Sequence, residues 1–273
     1  MSRLPILNFH GVQAFESEYH WSSGEQTYVT SKDMFERELS LIEEKGFKSL
    51  SLNELASWRS ESDSGKRIML TFDDGHISHF KYVALALQKK RLKGIFFVPP
   101  GLIGKTGQMR FTEIQELHKQ GFDIGAHGLN HVPLPDLSEL NLYYELNTSK
   151  KMLEDKLSAA VVSFSVPRGF YSSRVREMAI KVGYQFVFTS DFDLNRRDED
   201  VFALKRLVVK SNTSLESFTD LIEGRLGHKK YVEFAKTKVR GLLGPAGYEV
   251  LAEAKCFLAR NQVTFAGRRE GRE

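Results

Sequence analysis

Along roughly the first 210 residues, short apolar runs rich in β-branched and aromatic side chains alternate with longer amphipathic segments. That alternation limits the chain to a mainly parallel α/β sheet or barrel, because parallel strands need helical crossovers. The runs Pro5–Phe9, Phe47–Leu50, Arg67–Phe72, Gly94–Val98, Phe122–Gly125, Val161–Ser165, Gln185–Phe188 and Arg206–Val209 read as strands. Ser31–Lys45, Phe80–Lys90, Thr112–Lys119, Asp136–Leu157 and Ser173–Val182 read as helices, with start signals at Ser31 and at Thr112, the latter followed by Glu113 and Gln115. Seven or eight such units predict a distorted (β/α)7–8 barrel over residues 1–212, with catalytic groups at the C-terminal ends of its strands. Residues 213–273 read as a helical extension rather than an independent domain. Helix is expected from Ser214 to Gln262, interrupted at Gly227 and around Gly244 and Pro245.

Composition narrows the chemistry. With 273 residues, 41% of them hydrophobic, a sizeable core is affordable. The single cysteine, Cys256, excludes an internal disulfide and a cysteine-built zinc site, so any metal must be held by His and Asp. No apolar run approaches the roughly 20 residues of a membrane span. The start, Met1 to Leu7, lacks the pattern of a secretory signal, which predicts a cytoplasmic protein, or an extracytoplasmic one if the chain has been trimmed. The net charge of +4 is uneven, since from Lys205 onward there are fourteen Lys plus Arg against eight Asp plus Glu. No recognition-helix or zinc-finger pattern accompanies that charge, so nucleic acid is not expected as a partner. An anionic membrane surface touching the basic C-terminal helices, or a phosphorylated substrate, suits it better, and a solvated helical face is the ordinary explanation.

Two motifs carry chemistry. Ile68–Gly75 (IMLTFDDG) is a buried strand ending in Asp73 and Asp74, with Gly75 to let the chain turn so that both acids can face one site. Alone, the pair would serve equally as a helix cap. Ile124–Leu134 (IGAHGLNHVPL) is a strand running into a loop that carries His127 and His131. Gly128 and Pro133 argue against a helix there, so the two imidazoles must converge through the loop. Both motifs lie just past a strand, so a barrel would bring them to one rim. Two histidines and a carboxylate form a zinc-type triad with room for water and substrate, while a second carboxylate can act as base.

These motifs resemble those of the polysaccharide deacetylases, carbohydrate esterase family 4. Thr71–Gly75 (TFDDG) is similar to the family's first motif and His127–His131 to its second, HxxxH. Phe164–Phe170 (FSVPRGF) resembles the third, and the stretch through Thr189, Asp191 and Asp193 stands where the fourth does. Leu4–Val12 (LPILNFHGV), with Phe35, Leu39 and Gly46, resembles a subgroup that includes exopolysaccharide deacetylases. The resemblance implies a metal-dependent hydrolase that removes N-acetyl groups from a sugar, oligosaccharide or glycan precursor. Asp74, His127 and His131 would hold one divalent ion, zinc first, with cobalt, nickel or manganese as alternatives. Asp73 would be the base, and the backbone N–H of Arg168 would help to bind the oxyanion.

The chain departs from that pattern at three places. Gly128 stands where the family has Ser or Thr, which implies a lost loop-stabilising hydrogen bond. Ser165 stands where an Arg normally orients the catalytic Asp. Arg168 and Arg206 are candidates to replace it, and a surface ion pair would explain either equally. The late Leu-x-Leu-His strand that supplies the family's acid is missing, and the sole histidine after His131 is His228, in an expected turn. His10, at the end of the first strand, matches the subgroup's alternative acid, with closure of the barrel rim as the structural explanation. Phe170, Tyr171 and Phe192 are candidates to stack against sugar, or are core. A metal amidohydrolase acting on a small non-sugar amide and an inactive glycan-binding relative are the competing functions.

Overall fold

The computed structural model describes residues 3–15, 18–60, 65–239, 242–244 and 247. Ten strands are present among the described residues: β1 Ile6–Phe9, β2 Val12–Gln13, β3 Thr30–Ser31, β4 Lys48–Ser49, β5 Arg67–Phe72, β6 Ile95–Val98, β7 Asp123–Ala126, β8 Ser163–Ser165, β9 Phe186–Phe188 and β10 Leu207–Val208. Eight of them form one parallel sheet in the order β10-β1-β5-β6-β7-β8-β9, with β4 pairing to β5. Irregular chain curls the sheet toward closure between β9 and β10. Val187 N–H donates to Val201 O, Leu204 N–H to Val187 O and Thr189 N–H to Leu204 O, at 2.8–2.9 Å. The distorted barrel expected from the strand and helix rhythm is thus present.

Period-two alternation sorts the strand residues into two cores. Leu7, Phe9, Leu70, Phe72, Phe96 and Val98 point outward and pack under helices. Ile6, Met69, Ile95, Phe97, Phe186 and Phe188 point inward and form a second cluster with Leu52, Leu55 and Trp58. Those last three belong to a helix that the strand and helix rhythm did not predict, α3 Leu52–Ser60, following α1 Ser23–Gln26 and α2 Lys32–Glu44. The Leu52 N–H donates to the carboxylate of Asp123, the first residue of β7, at 2.9 Å. So α3 plugs the barrel at the N-terminal ends of its strands, leaving the C-terminal rim to polar side chains.

Further helices are α4 Ala84–Lys89, α5 Phe111–Lys119, α6 Glu139–Leu157, α7 Ser173–Val182 and α8 Leu215–Ile222. Ser31 caps α2 as expected, accepting the Met34 N–H at 3.2 Å. The cap of α5 is Arg110 rather than Thr112, because Glu113 folds back onto the Arg110 N–H. The helix expected from Phe80 opens one residue earlier as a wider π-type turn, His79–Val83. Beyond α8, whose Phe218, Leu221 and Ile222 are buried, the break falls at residues 223–226 and helix resumes at 227–239, with His228 inside it rather than in a turn. The expected tail past 247, Cys256 included, and Pro245 of the expected interruption lie outside the described residues.

One polar residue sits wrongly for a helix's buried stripe. Glu38 of α2 is fully buried beside Phe35, Leu39 and Ile42, and neither carboxylate oxygen has a hydrogen-bond partner. Burial pushes its pKa up to about 8. The folded chain therefore holds a proton that the unfolded chain has shed above its ordinary carboxylate range, so this residue costs stability increasingly as pH rises from about 5 to 8. Glu38→Leu is expected to stabilise the protein by about 1–3 kcal/mol at pH 8 and by less at pH 5, read from urea unfolding.

Candidate active site

Strand β5 delivers the two carboxylates. Its inward residues Met69 and Thr71 are followed in register by Asp73, whose N–H extends the ladder to Phe9 O at 3.0 Å and which is 2% exposed. The next two residues turn left-handed, Asp74 at φ +77° and Gly75 at φ +67°, and reverse the chain. Gly75 alone was expected to provide this turn. Asp74 shares it, which short polar residues tolerate better than most. The turn is locked by Met109 N–H to Gly75 O at 3.0 Å. The Gln108 amide, oriented to donate, adds bonds to Asp74 O at 2.6 Å and Gly75 O at 3.1 Å.

His127 directly follows strand β7, and its N–H donates to Val98 O at 3.0 Å. Its Nδ1 lies 2.8 Å from Ser165 O, a carbonyl that can only accept, so the proton is on Nδ1 and the Nε2 lone pair is free. Gly128 and His131 are left-handed, at φ +67° and +58°, and swing the second imidazole back over the first. Asp74 Oδ1 lies 3.3 Å from His127 Nε2 and 3.1 Å from His131 Nε2. All three atoms fall within 4.8 Å of one another. One anionic oxygen and two imidazole nitrogens suit zinc or a similar divalent ion, so the residues present fit a metal centre.

Beside this cluster sits an ion pair that the barrel buries completely. Arg206, 1% exposed, gives Nη1–H to Asp73 Oδ1 at 2.8 Å and Nη2–H to Asp73 Oδ2 at 2.9 Å. Its other N–H groups reach Ser165 Oγ at 2.8 Å, Thr71 Oγ1 at 3.3 Å and, from Nε, Thr189 O at 2.9 Å. All five guanidinium donors are therefore used. Ser165 in turn donates to Asp73 Oδ2 at 3.1 Å. Of the two arginines weighed for the role, Arg206 contacts the acid, while Arg168 lies exposed and left-handed in the short turn Pro167–Gly169 after β8.

Charge balance follows from these contacts. Burial alone would raise the Asp73 carboxyl, but Arg206 and His127 outweigh it and hold the pKa at about 2. Burial acts likewise on Asp74 and is overcome by the hydrogen bonds of His127 and His131, leaving it well below the usual carboxylate range. Burial disfavours the cationic form of His127, yet Asp73 and Asp74 together push its pKa up. At His10 burial prevails and the pKa is lowered.

His10 and Asp74 share a cavity of about 280 Å3 whose other walls include Tyr19, Trp21, Tyr28 and His76. The segment between β2 and β3 supplies the aromatic wall. Trp21 donates its indole N–H to Gln13 Oε1 at 2.9 Å and lies over Gly11, where a Cβ would come within 2.4 Å of the indole. The His10 ring lies 4.9 Å from that of Tyr28, its Nδ1 has no partner, and its carbonyl accepts the His79 Nε2–H at 2.7 Å. Phe170, Tyr171 and Phe192 do not line this cavity. Phe170 is buried, the Tyr171 hydroxyl donates to Phe202 O, and Phe192 borders a separate hollow with Lys210 and His228. Two larger hollows of about 550 and 690 Å3 surround Trp58 at the plugged end and contain none of the cluster.

Comparison with known proteins fits this geometry. Residues 60–187 match the family described as Polysaccharide deacetylase. The Bacillus subtilis protein YxkH is 27% identical over 224 residues, covering 81% of this chain and 77% of the relative. The peptidoglycan-N-acetylglucosamine deacetylase of Bacillus cereus is 29% identical over 126 residues, 46% of this chain and 57% of the relative. Among solved structures, the Streptococcus pyogenes deacetylase PplD superposes with a TM-score of 0.72 at 22% identity, over 81% of this chain and 98% of that one. IcaB from Ammonifex degensii gives 0.69 at 22% identity, over 81% and 100%.

The buried pair has a measurable signature. Arg206→Met strands the Asp73 charge and is expected to cost about 3–5 kcal/mol at pH 7. The Asp73 pKa is depressed in the folded state, so its favourable contribution is present above the ordinary carboxylate pKa and fades as pH falls toward 2. The gap between wild type and variant in urea unfolding should accordingly narrow between pH 5 and pH 3.

Proposed function

This chain belongs to the polysaccharide deacetylase family, and from that premise we propose how its own residues remove an N-acetyl group from a sugar substrate. The observation that carries the reading is the convergence of Asp74, His127 and His131 beside an Asp73 clamped by Arg206 on one rim of the barrel. In this reading Asp74, His127 and His131 hold a divalent ion, with zinc favoured by the donor set. Bound there, the ion would polarise the acetyl carbonyl and lower the pKa of the attacking water.

The protein groups perform the proton transfers. Asp73 takes the proton of the attacking water, and Arg206 keeps that carboxylate ionised and aimed. The Arg168 N–H, turned by its left-handed backbone at the end of β8, contributes to the oxyanion site. His10 gives a proton to the departing amine, since it shares the cavity with Asp74. The sugar ring bearing the acetamide packs against Tyr19, Trp21 and Tyr28. The products are acetate and the free amine.

Among the described residues no helix is long and apolar enough to cross a membrane. Residues 227–239 expose Tyr231 and Phe234 beside Lys236 and Lys238, a combination suited to an anionic lipid surface. Sedimentation with phosphatidylserine-containing vesicles should show binding that 0.5 M salt removes, about the salt that screens such attraction to a few ångströms. Binding indifferent to salt would refute that contact.

The catalytic assignment is tested with N-acetylglucosamine oligomers. Asp73→Asn should lower acetate release by about 10²- to 10⁴-fold while the protein keeps its bound ion, and chelation should abolish the wild-type activity. Acetate release indifferent to both changes would remove the mechanism. Trp21→Ala should chiefly raise KM, which steady-state kinetics on the same oligomers measures.

A further inference from the structure

Helix α6 buries a stripe of Leu142, Leu146, Ser149 and Leu153, and within that stripe lies a carboxylate, Glu145, only 6% exposed. The side chain does not touch the ligand atoms. It reaches instead into the loop between the two imidazoles. Its Oε2 accepts the N–H of Leu129 at 2.8 Å and that of Asn130 at 3.0 Å, and its Oε1 accepts the Asn130 side-chain amide at 2.7 Å. A second clamp acts from the opposite side, where Gly101 N–H donates to Leu129 O at 2.8 Å.

The loop needs such restraint. Between His127 and His131 the chain passes through left-handed Gly128 and ends on a left-handed histidine, a conformation that costs free energy for a residue with a side chain. Without fixed partners the amides of Leu129 and Asn130 would be free to seek another arrangement, and His131 would move with them. Gly128 also makes room for the carboxylate. A Cβ at that position would stand 3.4 Å from Glu145 Oε2 and 3.1 Å from Pro167 Cγ, so a serine or threonine hydroxyl would have to compete with Glu145 for the same space. Glycine at 128 and glutamate at 145 thus form one device: the side chain that could have braced the loop from within is absent, and a helix 15 to 16 residues further along braces it from outside.

We infer that Glu145 is a positioning residue for the metal centre, holding the His127–His131 loop so that the second imidazole is delivered to Asp74. This rests on the metal-site reading above. Outer-sphere partners of this kind typically carry a 10- to 100-fold share of metal affinity, because they fix ligands that would otherwise have to be ordered by the ion itself.

The test is zinc affinity, measured by competition with a chromophoric chelator on the full chain, beside thermal unfolding of each variant. Glu145→Ala should bind zinc about 10- to 100-fold more weakly than wild type. Glu145→Gln should recover most of that loss, since its amide oxygen can still accept both loop N–H groups. Leu146→Ala, the adjacent core residue of α6, should lose stability but keep wild-type zinc affinity. Should Glu145→Ala not fold, Asn130→Ala, at an exposed position, removes one arm and should weaken zinc by about 3- to 10-fold, the worth of a single hydrogen bond. Wild-type affinity in Glu145→Ala or Asn130→Ala overturns the inference, as does an equal loss in Leu146→Ala. Failure of the wild-type chain itself to bind zinc overturns the metal-site reading, and the role of Glu145 with it.

Discussion

The ion pair between Arg206 and Asp73 is the constraint on which the rim of the barrel depends. A charge buried in this position would be costly by itself, and the pair is tolerable because every guanidinium donor finds an acceptor and Asp73 gains a further bond from Ser165. Those acceptors belong to β5, β8 and the segment after β9, while Arg206 itself immediately precedes β10. The network therefore ties together four parts of the sheet across its interior. It also explains why the inward stripe switches from Met69 and Ile95 near the plug to Thr71, Asp73 and Ser165 near the rim. Apolar packing closes one end, and a saturated polar network furnishes the other.

Around that network, backbone strain is concentrated where the candidate ligands are presented. Asp74, His131 and Arg168 are three of the five non-glycine residues with positive φ among those described, and each stands directly beyond a strand end or in the loop it opens. A strand alone would send Asp73 and Asp74 to opposite faces. The left-handed turn at Asp74 brings the second carboxylate back, so that one acid faces the guanidinium and the other the imidazoles. Such conformations persist only when neighbours over-determine them, and here Gln108 and Met109 hold one loop while Glu145 and Gly101 hold the other.

Much of the architecture was legible in the sequence because parallel strands in a barrel are apolar on both faces and therefore conspicuous. Arg67–Phe72 was bounded to the residue for that reason. The plug helix α3 was not, since Leu52, Leu55 and Trp58 are dispersed among polar residues and acquire meaning only against the barrel interior. The pairs Asp73–Asp74 and His127–His131 were legible as motifs, but the partner of Asp73 only as one of two candidate arginines, Arg168 and Arg206, since an arginine beside a short strand looks like any surface cation until 133 residues of chain bring it against the acid. Glu145 carried a signal that went unused, an acid on the buried stripe of an otherwise regular amphipathic helix. Trp21 and Tyr28 carried none, lying in a segment with little regular structure.

The parts of the site divide unevenly along the chain, and the division has a functional logic. The carboxylates, the imidazoles and Glu145 all fall within residues 60–187, the stretch matched by the family. The aromatic wall, His10 and Arg206 fall outside it. On the proposed reading, the ion-binding groups are set by local loops on neighbouring strands, whereas the aromatic wall of the cavity comes from the first thirty residues, where β2 and β3 frame an excursion over the rim. Arg206 makes the two halves interdependent. It reaches Asp73 from beside β10, which hydrogen-bonds to β1, the strand that leads into His10. In the closed sheet Arg206 clamps Asp73, while β1, paired to both β10 and β5, carries His10 to the cavity it shares with Asp74. Groups encoded in different stretches of the chain are thus brought to one rim by the pairing of β1 with both β10 and β5.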